Sequence, residues 1–497
     1  MARSRSSQVK IGRLLFPCLI FVVVAYISYH VVQGVLLYSM LKPLPPVTLV
    51  QAAQTAAVGN GEQPKAREEE AAMIFKPPPP SPPPPSPSPV IAVSSYPRLV
   101  IAHKEVEQES PPPPTLNLEF HQVFPSAEEV KHAQPIRKSA SVRPSGIHVM
   151  ATSNGSPYLN WQTRIMYSTY KKVAAMAGSD LKHFTRLLHR REDDDLMYEV
   201  PTVRVDSLHA ACDHWCEFPV ADRPNAVKQW MMTEDAKRGE WILMIETDYV
   251  WKKPLSLPPP GSNAIAFHFG YINPKYPSLP AVMKRLWPAD APFKFDIDAI
   301  PPSGPAPALI RLEDLKTLTP VWETVAAAIE ADNDAKQKLG WVREMYAYSI
   351  AAAATGVKHD VHEPPDTILI AQPPADSSIY KAAMYHYTWG STYKQGGTTL
   401  WEFDKRPYVD ARHVRDPTWK LPAMPPKDLS GKAIKLQDGK SVNQELGDTI
   451  WDMLNEMNLA LQSLPRLKGC GWLPREPKCN FGCATGVLCE PTETNHA

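Results

Sequence analysis

An α/β domain with a mainly parallel sheet and crossover helices is the fold class this sequence predicts. Two observations carry that expectation. From Gly146 onward, strand-like apolar runs alternate with segments of helical periodicity, and two of the runs (residues 241–245 and 264–269) are apolar enough for strands buried on both faces. The first strand is expected at 147–152, followed by a helix over 160–176 that carries Trp161, Ile165, Tyr167 and Tyr170. β-rich runs at 184–189 and 202–205 come next, then a helix over 225–236 with Pro224 near its start. Beyond the two buried-type strands, a proline-broken loop covers 290–307. Helices are expected at 312–331 and 341–355, the second stopped by Gly356. No internal repeat is visible.

The remainder of the 497 residues reads differently. Lys and Arg number 53 against 52 Asp and Glu, a balance that gives no support to nucleic-acid binding through bulk charge. Residues 14–41 form one nearly unbroken apolar run, longer than the roughly 20 residues a bilayer requires. Arg3, Arg5, Lys10 and Arg13 precede it, so residues 1–13 are expected to be cytoplasmic and everything after 41 lumenal. A cleaved signal peptide is the competing reading, disfavoured by the length of the run. Proline, 54 residues in all, concentrates in 42–145, including PPPPSPPPPSPSP from Pro77 to Pro89. Such a segment favours polyproline II and makes a stiff stem without a core; its Ser-Pro runs could also serve as substrates for hydroxylation and glycosylation. Apart from Cys18 in the apolar run, the cysteines are Cys212, Cys216, Cys470, Cys479, Cys483 and Cys489. An even set crowded towards residues 466–497 reads as a disulfide-tied tail, with zinc as the rival. A catalytic domain at 146–410 and a helical extension at 411–465 complete the expected organisation.

The most informative segment is Trp241-Ile-Leu-Met-Ile-Glu-Thr-Asp248. A buried-type strand runs straight into two carboxylates, Glu246 and Asp248, at the carboxyl end of a strand, where ligands bind in open α/β sheets. In extended chain, residues i and i+2 point the same way, so both acids are expected to face one site. Oxygen ligands of this kind suit Mg²⁺ or Mn²⁺, which would bridge the phosphates of a nucleotide-sugar; a turn or helix cap is the plainer alternative. His386, in the aromatic run Met384-Tyr-His-Tyr-Thr-Trp-Gly390, would complete such a metal set, against the alternative of a half-buried structural histidine. Glu344 falls at a helix start, where the dipole alone explains a carboxylate and a role at the reacting centre is the competing reading. Arg164, Arg186 and His189 are candidates for contact with phosphates or the nucleotide. The sequon Asn154-Gly-Ser156 lies in the loop after the first strand.

Several runs, in order, resemble the plant and green-algal hydroxyproline O-arabinosyltransferases. They are Arg164-Ile-Met-Tyr167, Tyr170-Lys-Lys172, Gly178-Ser-Asp180, Phe184-Thr-Arg-Leu-Leu-His189, Asp195-Leu-Met197, Leu243-Met244 leading into Glu246 and Asp248, Gly340-Trp-Val-Arg-Glu-Met-Tyr346, His386-Tyr-Thr388 and Phe403-Asp-Lys-Arg406. The related peptidyl serine galactosyltransferases share fewer of them. The family's acidic motif reads glutamate-proline-aspartate-histidine, whereas this chain has Glu246-Thr-Asp-Tyr249. The resemblance implies a GT-A-like fold, with a single Rossmann-like mixed sheet and helices on both faces. It also implies a metal-dependent, retaining transfer of L-arabinofuranose from UDP-L-arabinofuranose to hydroxyproline in proline-rich wall glycoproteins or secreted peptides, in a type II Golgi membrane protein. By analogy Glu246, Asp248 and His386 hold the metal and diphosphate, and Glu344 lies near the reacting centre. A stiff proline-rich acceptor is gripped well by aromatics, for which Tyr385, Tyr387, Trp389, Tyr393 and Trp401 are candidates. A serine galactosyltransferase and a non-catalytic, lectin-like or scaffold protein are the alternatives.

Overall fold

A computed structural model describes residues 145–208, 218–469 and 483–491. The apolar run at 14–41, the stem at 42–144 and Cys212, Cys216, Cys470 and Cys479 lie outside the described residues. Among the described residues, no helix is long and apolar enough to cross a membrane.

Strand β1 (Ile147–Ser153) is buried along its whole length and leads into α1 (Pro157–Ala174). The helix starts where the sequence provides a start: Ser156 accepts a hydrogen bond from the Leu159 amide and Pro157 fills the first turn, while Lys171 and Lys172 sit in the last. Then come β2 (Leu181–His189), β3 (Thr202–Val205) and α2 (Arg223–Met231). This last helix is shorter than expected. Asp235, in a separate 3-10 turn over Asp235–Arg238, accepts from Trp230 Nε1 at 2.7 Å and from Thr185 Oγ1 at 2.7 Å, which ties that stretch to β2.

β4 (Trp241–Ile245) is buried at every position. Burial of each large apolar side chain there is worth roughly 1.5–3 kcal/mol, which fixes the strand in the middle of the sheet. After a turn come β5 (Tyr249–Trp251), β6 (Ala264–Phe267), α3 (Pro280–Leu286), β7 (Ala308–Arg311), α4 (Leu312–Ala331) and α5 (Asn333–Leu339). Where one helix was expected over 341–355, Gly340 at φ +58° starts a 3-10 turn over Gly340–Val342, and α6 (Arg343–Thr355) begins after it. Gly356, at φ +72°, ends that helix as expected.

The chain continues through β8 (His359–His362), β9 (Ile370–Ala371), β10 (Met384–His386), β11 (Gly390–Gln395), β12 (Thr398–Asp404), α7 (Ala411–Arg415), β13 (Ile434–Leu436), α8 (Gln444–Ser463) and β14 (Leu488–Cys489). The main sheet has the order β14-β3-β2-β1-β4-β7-β6-β8. It is parallel through β3-β2-β1-β4 and between β6 and β8, and antiparallel where β14, β7 and β6 join. Two small sheets, β5-β10-β9 and β12-β11-β13, complete the described strands. Cys483 and Cys489 are joined in a disulfide, and β14 pairs with β3, so this part of the tail belongs to the main sheet.

The strand order decides where a site can form. The connection β1-α1-β2 steps one way along the sheet, and β3-α2-β4 returns to the other side of β1. Right-handed crossovers in opposite directions put their helices on opposite faces. They also open a crevice at the carboxyl ends of β1 and β4. α8 packs on α1 from the segment at 411–465, and Arg164 reaches from α1 to the carbonyls of Val414 and Pro465. That extension is therefore built into the same core.

Candidate active site

At the crevice, β4 ends at Ile245, and Thr247 and Asp248 form a turn before β5 begins. The turn changes what the two acids meet. They do not face one partner, as an extended chain would require, but take separate ones.

Glu246 is about one-third exposed and receives Arg223 Nη2 at 2.5 Å. Arg223 opens α2 and is almost wholly buried. It also donates through Nη1 to Glu344 Oε2 at 3.1 Å and through Nε to Thr152 Oγ1 on β1 at 3.2 Å. One guanidinium thus joins β1, the end of β4 and the first turn of α6. Burial would lower its pKa, but Glu246 and Glu344 more than offset this and raise it. Glu344 is 4% exposed, and its Oε1 is buried without a hydrogen-bond partner. Burial pushes its carboxyl up to about 7, against the opposing pull of Arg223 and with a further push from Glu246.

Asp248 lies deeper. Its Oδ2 is 3.2 Å from His386 Nε2 and also accepts from the Lys405 ammonium. Burial raises an aspartate's pKa, yet Lys405 and His386 outweigh it and hold this carboxyl well below the usual range. Strand register makes the meeting possible: β10 runs antiparallel to β5 with His386 opposite Tyr249, and the Tyr387 amide reaches the Asp248 carbonyl at 3.4 Å. β9 runs parallel on the other edge of β10, and just after it Gln372 Oε1 lies 2.9 Å from His386 Nδ1. An amide oxygen only accepts, so Nδ1 carries a proton, while Nε2 faces the Asp248 carboxylate and donates to it when protonated. Lys405 follows β12, its amide bonded to the Trp389 carbonyl. Gly390, at φ +140°, allows this approach, because a Cβ there would lie 1.9 Å from the Phe403 carbonyl oxygen. Thr388, in the same turn, is held at φ +40°, a costly conformation for a β-branched residue.

The sequence candidates therefore separate. Asp248 and His386 come together, while Glu246 and Glu344 meet on Arg223. Arg164 is not brought to the crevice: its Nε bonds Glu199 at 2.9 Å and its other donors hold backbone carbonyls. Arg186 is likewise consumed in a bidentate pair with Asp194, both contacts 2.7 Å, and a 3.0 Å bond to Thr202. His189 ends β2 with Nδ1 3.3 Å from Asp222, the residue before Arg223; the contact lacks hydrogen-bond geometry. Of the five proposed acceptor aromatics, Tyr385, Tyr387, Tyr393 and Trp401 are buried in the core, and only Trp389, at 44%, is exposed. Arg223, Lys405 and Gln372 are the site residues that sequence reasoning did not single out. Lys405 lay inside one of the matching runs. Arg223 carried no local signal beyond the helix-start proline after it.

A divalent cation fits the donor set at one place. Asp248 Oδ2 and His386 Nε2 stand 3.2 Å apart with the ring oriented by Gln372, and as the Nδ1–H tautomer His386 would offer Nε2 to a cation there, whereas Glu246 is engaged by Arg223. Among the described residues, no three His, Cys, Asp or Glu side chains converge.

Residues 147–361 match the hydroxyproline O-arabinosyltransferase family N-terminal domain. The chain is 36% identical over 328 residues to hydroxyproline O-arabinosyltransferase 3 of Arabidopsis thaliana, covering 64% of this chain and 86% of that protein. It belongs to the hydroxyproline O-arabinosyltransferase family. Hydroxyproline O-arabinosyltransferase PLENTY of Lotus japonicus is 34% identical, over 62% of this chain and 82% of its own length. The peptidyl serine alpha-galactosyltransferase of Arabidopsis thaliana is more distant, 24% identical over 58% of this chain and 35% of that one. Membership makes this chain a glycosyltransferase, and the family's matched region contains Arg223, Glu246, Asp248 and Glu344. Among solved structures, the galactosyltransferase LgtC with donor and acceptor sugar analogues overlaps at TM-score 0.30 and 11% identity, over 57% of this chain and 99% of that one. An overlap of that size carries no argument about the site.

Proposed function

We propose that this chain transfers L-arabinofuranose from UDP-L-arabinofuranose to the hydroxyl of hydroxyproline in a proline-rich polypeptide, in a GT-A-like site at the β1/β4 crevice. The observation that supports the reading is the pairing of Asp248 with His386 and Lys405 at the carboxyl end of the central strand. The bond broken joins the sugar's anomeric carbon to the diphosphate, so negative charge grows on the leaving group, and the largest contribution a protein can make is to stabilise that charge.

Asp248 and His386 would hold Mn²⁺ or Mg²⁺, which when bound would offset charge on the diphosphate. Lys405 adds a second positive charge beside it. On the other arm, Arg223 fixes Glu344, whose buried Oε1 has no hydrogen-bond partner and whose pKa of about 7 suits proton exchange at neutral pH. Two exposed indoles neighbour these arms along the chain. Trp341, 58% exposed, precedes Glu344 by three residues, and Trp389 lies over Lys405 at 5.3 Å and Arg406 at 5.6 Å. A polyproline II acceptor presents ring faces to which exposed indoles can bind at low ordering cost. Retention of configuration, a type II Golgi anchor at 14–41 and His189 as a nucleotide contact belong to the same reading.

The test offers UDP-arabinofuranose and UDP-galactose with hydroxyproline-rich and serine-rich peptides, with and without EDTA. Arabinosyl-hydroxyproline, lost on chelation and restored by Mn²⁺, is the expected product. Galactosyl-serine would replace this reading with the alternative one, undiminished transfer in EDTA would remove the metal, and no transfer to any peptide would favour a binding protein.

A further inference from the structure

Lys405 stands on the atom that a divalent cation would need. Its ammonium is paired with Asp248 Oδ2, the same oxygen that faces His386 Nε2. The residue is only 7% exposed, and among the described residues Asp248 is the acid with which it forms an ion pair. Tyr158, Tyr387 and Trp389 ring centres lie at 6.0, 5.7 and 5.3 Å, and Glu246 acts on the ammonium without forming an ion pair with it. Rings soften the desolvation of a cation but do not replace an anion. A metal ion arriving alone would have to displace this ammonium and leave it buried with only Glu246 as an anion, and that carboxylate is already paired with Arg223. A metal ion arriving with a diphosphate brings the replacement anion with it.

We propose that Lys405 is a built-in counter-ion that occupies the cation position on Asp248 in the donor-free enzyme and moves to the diphosphate when metal and nucleotide enter, so that the two bind cooperatively and poorly alone. The inference rests on the metal-dependent reading of the site above and adds to it a thermodynamic coupling between the two ligands. The lysine stem is long and flexible, and Lys405 begins the chain's exit from β12 beside the exposed Trp389, so a shift of the ammonium between neighbouring anions requires no movement of the sheet. Linkage makes the coupling reciprocal: UDP must tighten Mn²⁺ by the same factor by which Mn²⁺ tightens UDP.

The measurement is Mn²⁺ binding to the detergent-solubilised full chain, by titration calorimetry and by the electron paramagnetic resonance signal of free Mn²⁺, without and with saturating UDP. In the wild type, UDP should tighten Mn²⁺ by about tenfold or more, within the usual range of coupling between sites. Lys405→Met should bind Mn²⁺ alone about tenfold more tightly than the wild type and lose most of the coupling, while Lys405→Arg, which keeps the charge, should retain it. Equal Mn²⁺ affinity with and without UDP in the wild type overturns the proposal without need of any variant. Coupling that survives in Lys405→Met overturns it while leaving the metal reading intact. Absence of Mn²⁺ binding even with UDP defeats the metal reading itself, and the proposal with it.

Discussion

Glu246 and Asp248 stand two residues apart at the end of one strand and have unlike surroundings. Glu246 is about one-third exposed and serves a fixed guanidinium that also holds Glu344 and Thr152. Asp248 is buried and shares one oxygen between an imidazole and an ammonium. The difference lies in the cation. Arg223, with a rigid fork and three partners on three elements, is a brace. Lys405, a single point charge on a flexible stem, is exchangeable. The Arg223 arm thus sets geometry and the Asp248 arm handles the charge that appears on the leaving group.

The comparison can be broken most directly at Asp248. Asp248→Asn should lower transfer by about 1000-fold, at the upper end for loss of a charge-stabilising group, with an unchanged circular dichroism spectrum. Activity within tenfold of wild type would mean that the Asp248 arm is not the one that handles charge. Next in size is Arg223→Met, which leaves buried Glu344 without its counter-ion. Urea unfolding of the domain should show a loss of about 3–5 kcal/mol, the usual cost of breaking a buried pair; a loss below about 1 kcal/mol would deny the brace.

Glu344 sharpens the contrast through pH. Its folded pKa is raised from 4.5 to about 7, so between those values the native state binds more protons than the unfolded one. The stability it contributes is complete below about 4.5 and is lost as pH rises towards 7. Compared by urea midpoint at pH 5 and pH 7.5, wild type should lose more stability than Glu344→Gln over that interval; parallel behaviour would show that Glu344 titrates normally. The smallest expected effect is at the rim. Trp341→Ala should raise the KM for a hydroxyproline-rich peptide by about tenfold, the size of a modest interface hot spot, with the donor KM unchanged. An effect on the donor alone would detach Trp341 from the acceptor path.

Much of the frame was legible because it depends on local pattern. The all-apolar stretch at 241–245 could satisfy itself only in the middle of a sheet, and Gly356 marks a helix end through chemistry confined to a few residues, whereas the Ser156-Pro157 start of α1 lies three residues before the expected 160. The extended-chain argument that set Glu246 beside Asp248 did not survive the turn at Thr247, because a strand's alternation holds only while the strand continues. Arg164 and Arg186 looked available for phosphate and proved to be internal ties, since nothing near them in sequence announces Glu199 or Asp194 as a partner. The four aromatics that joined the core, against Trp389 and Trp341 left outside, were indistinguishable by residue type alone.

For Asp248 the division is plain. The sequence by itself determined that a carboxylate would stand at the carboxyl end of the central strand, because that follows from one hydrophobic run and its boundary. The tertiary structure alone decided which cations meet the two acids: Arg223, 23 residues before Glu246, and Lys405, 157 residues after Asp248. Pairings across such separations are fixed by strand register and by where helices begin, and the charges then settle on whichever neighbours the packed backbone brings within reach.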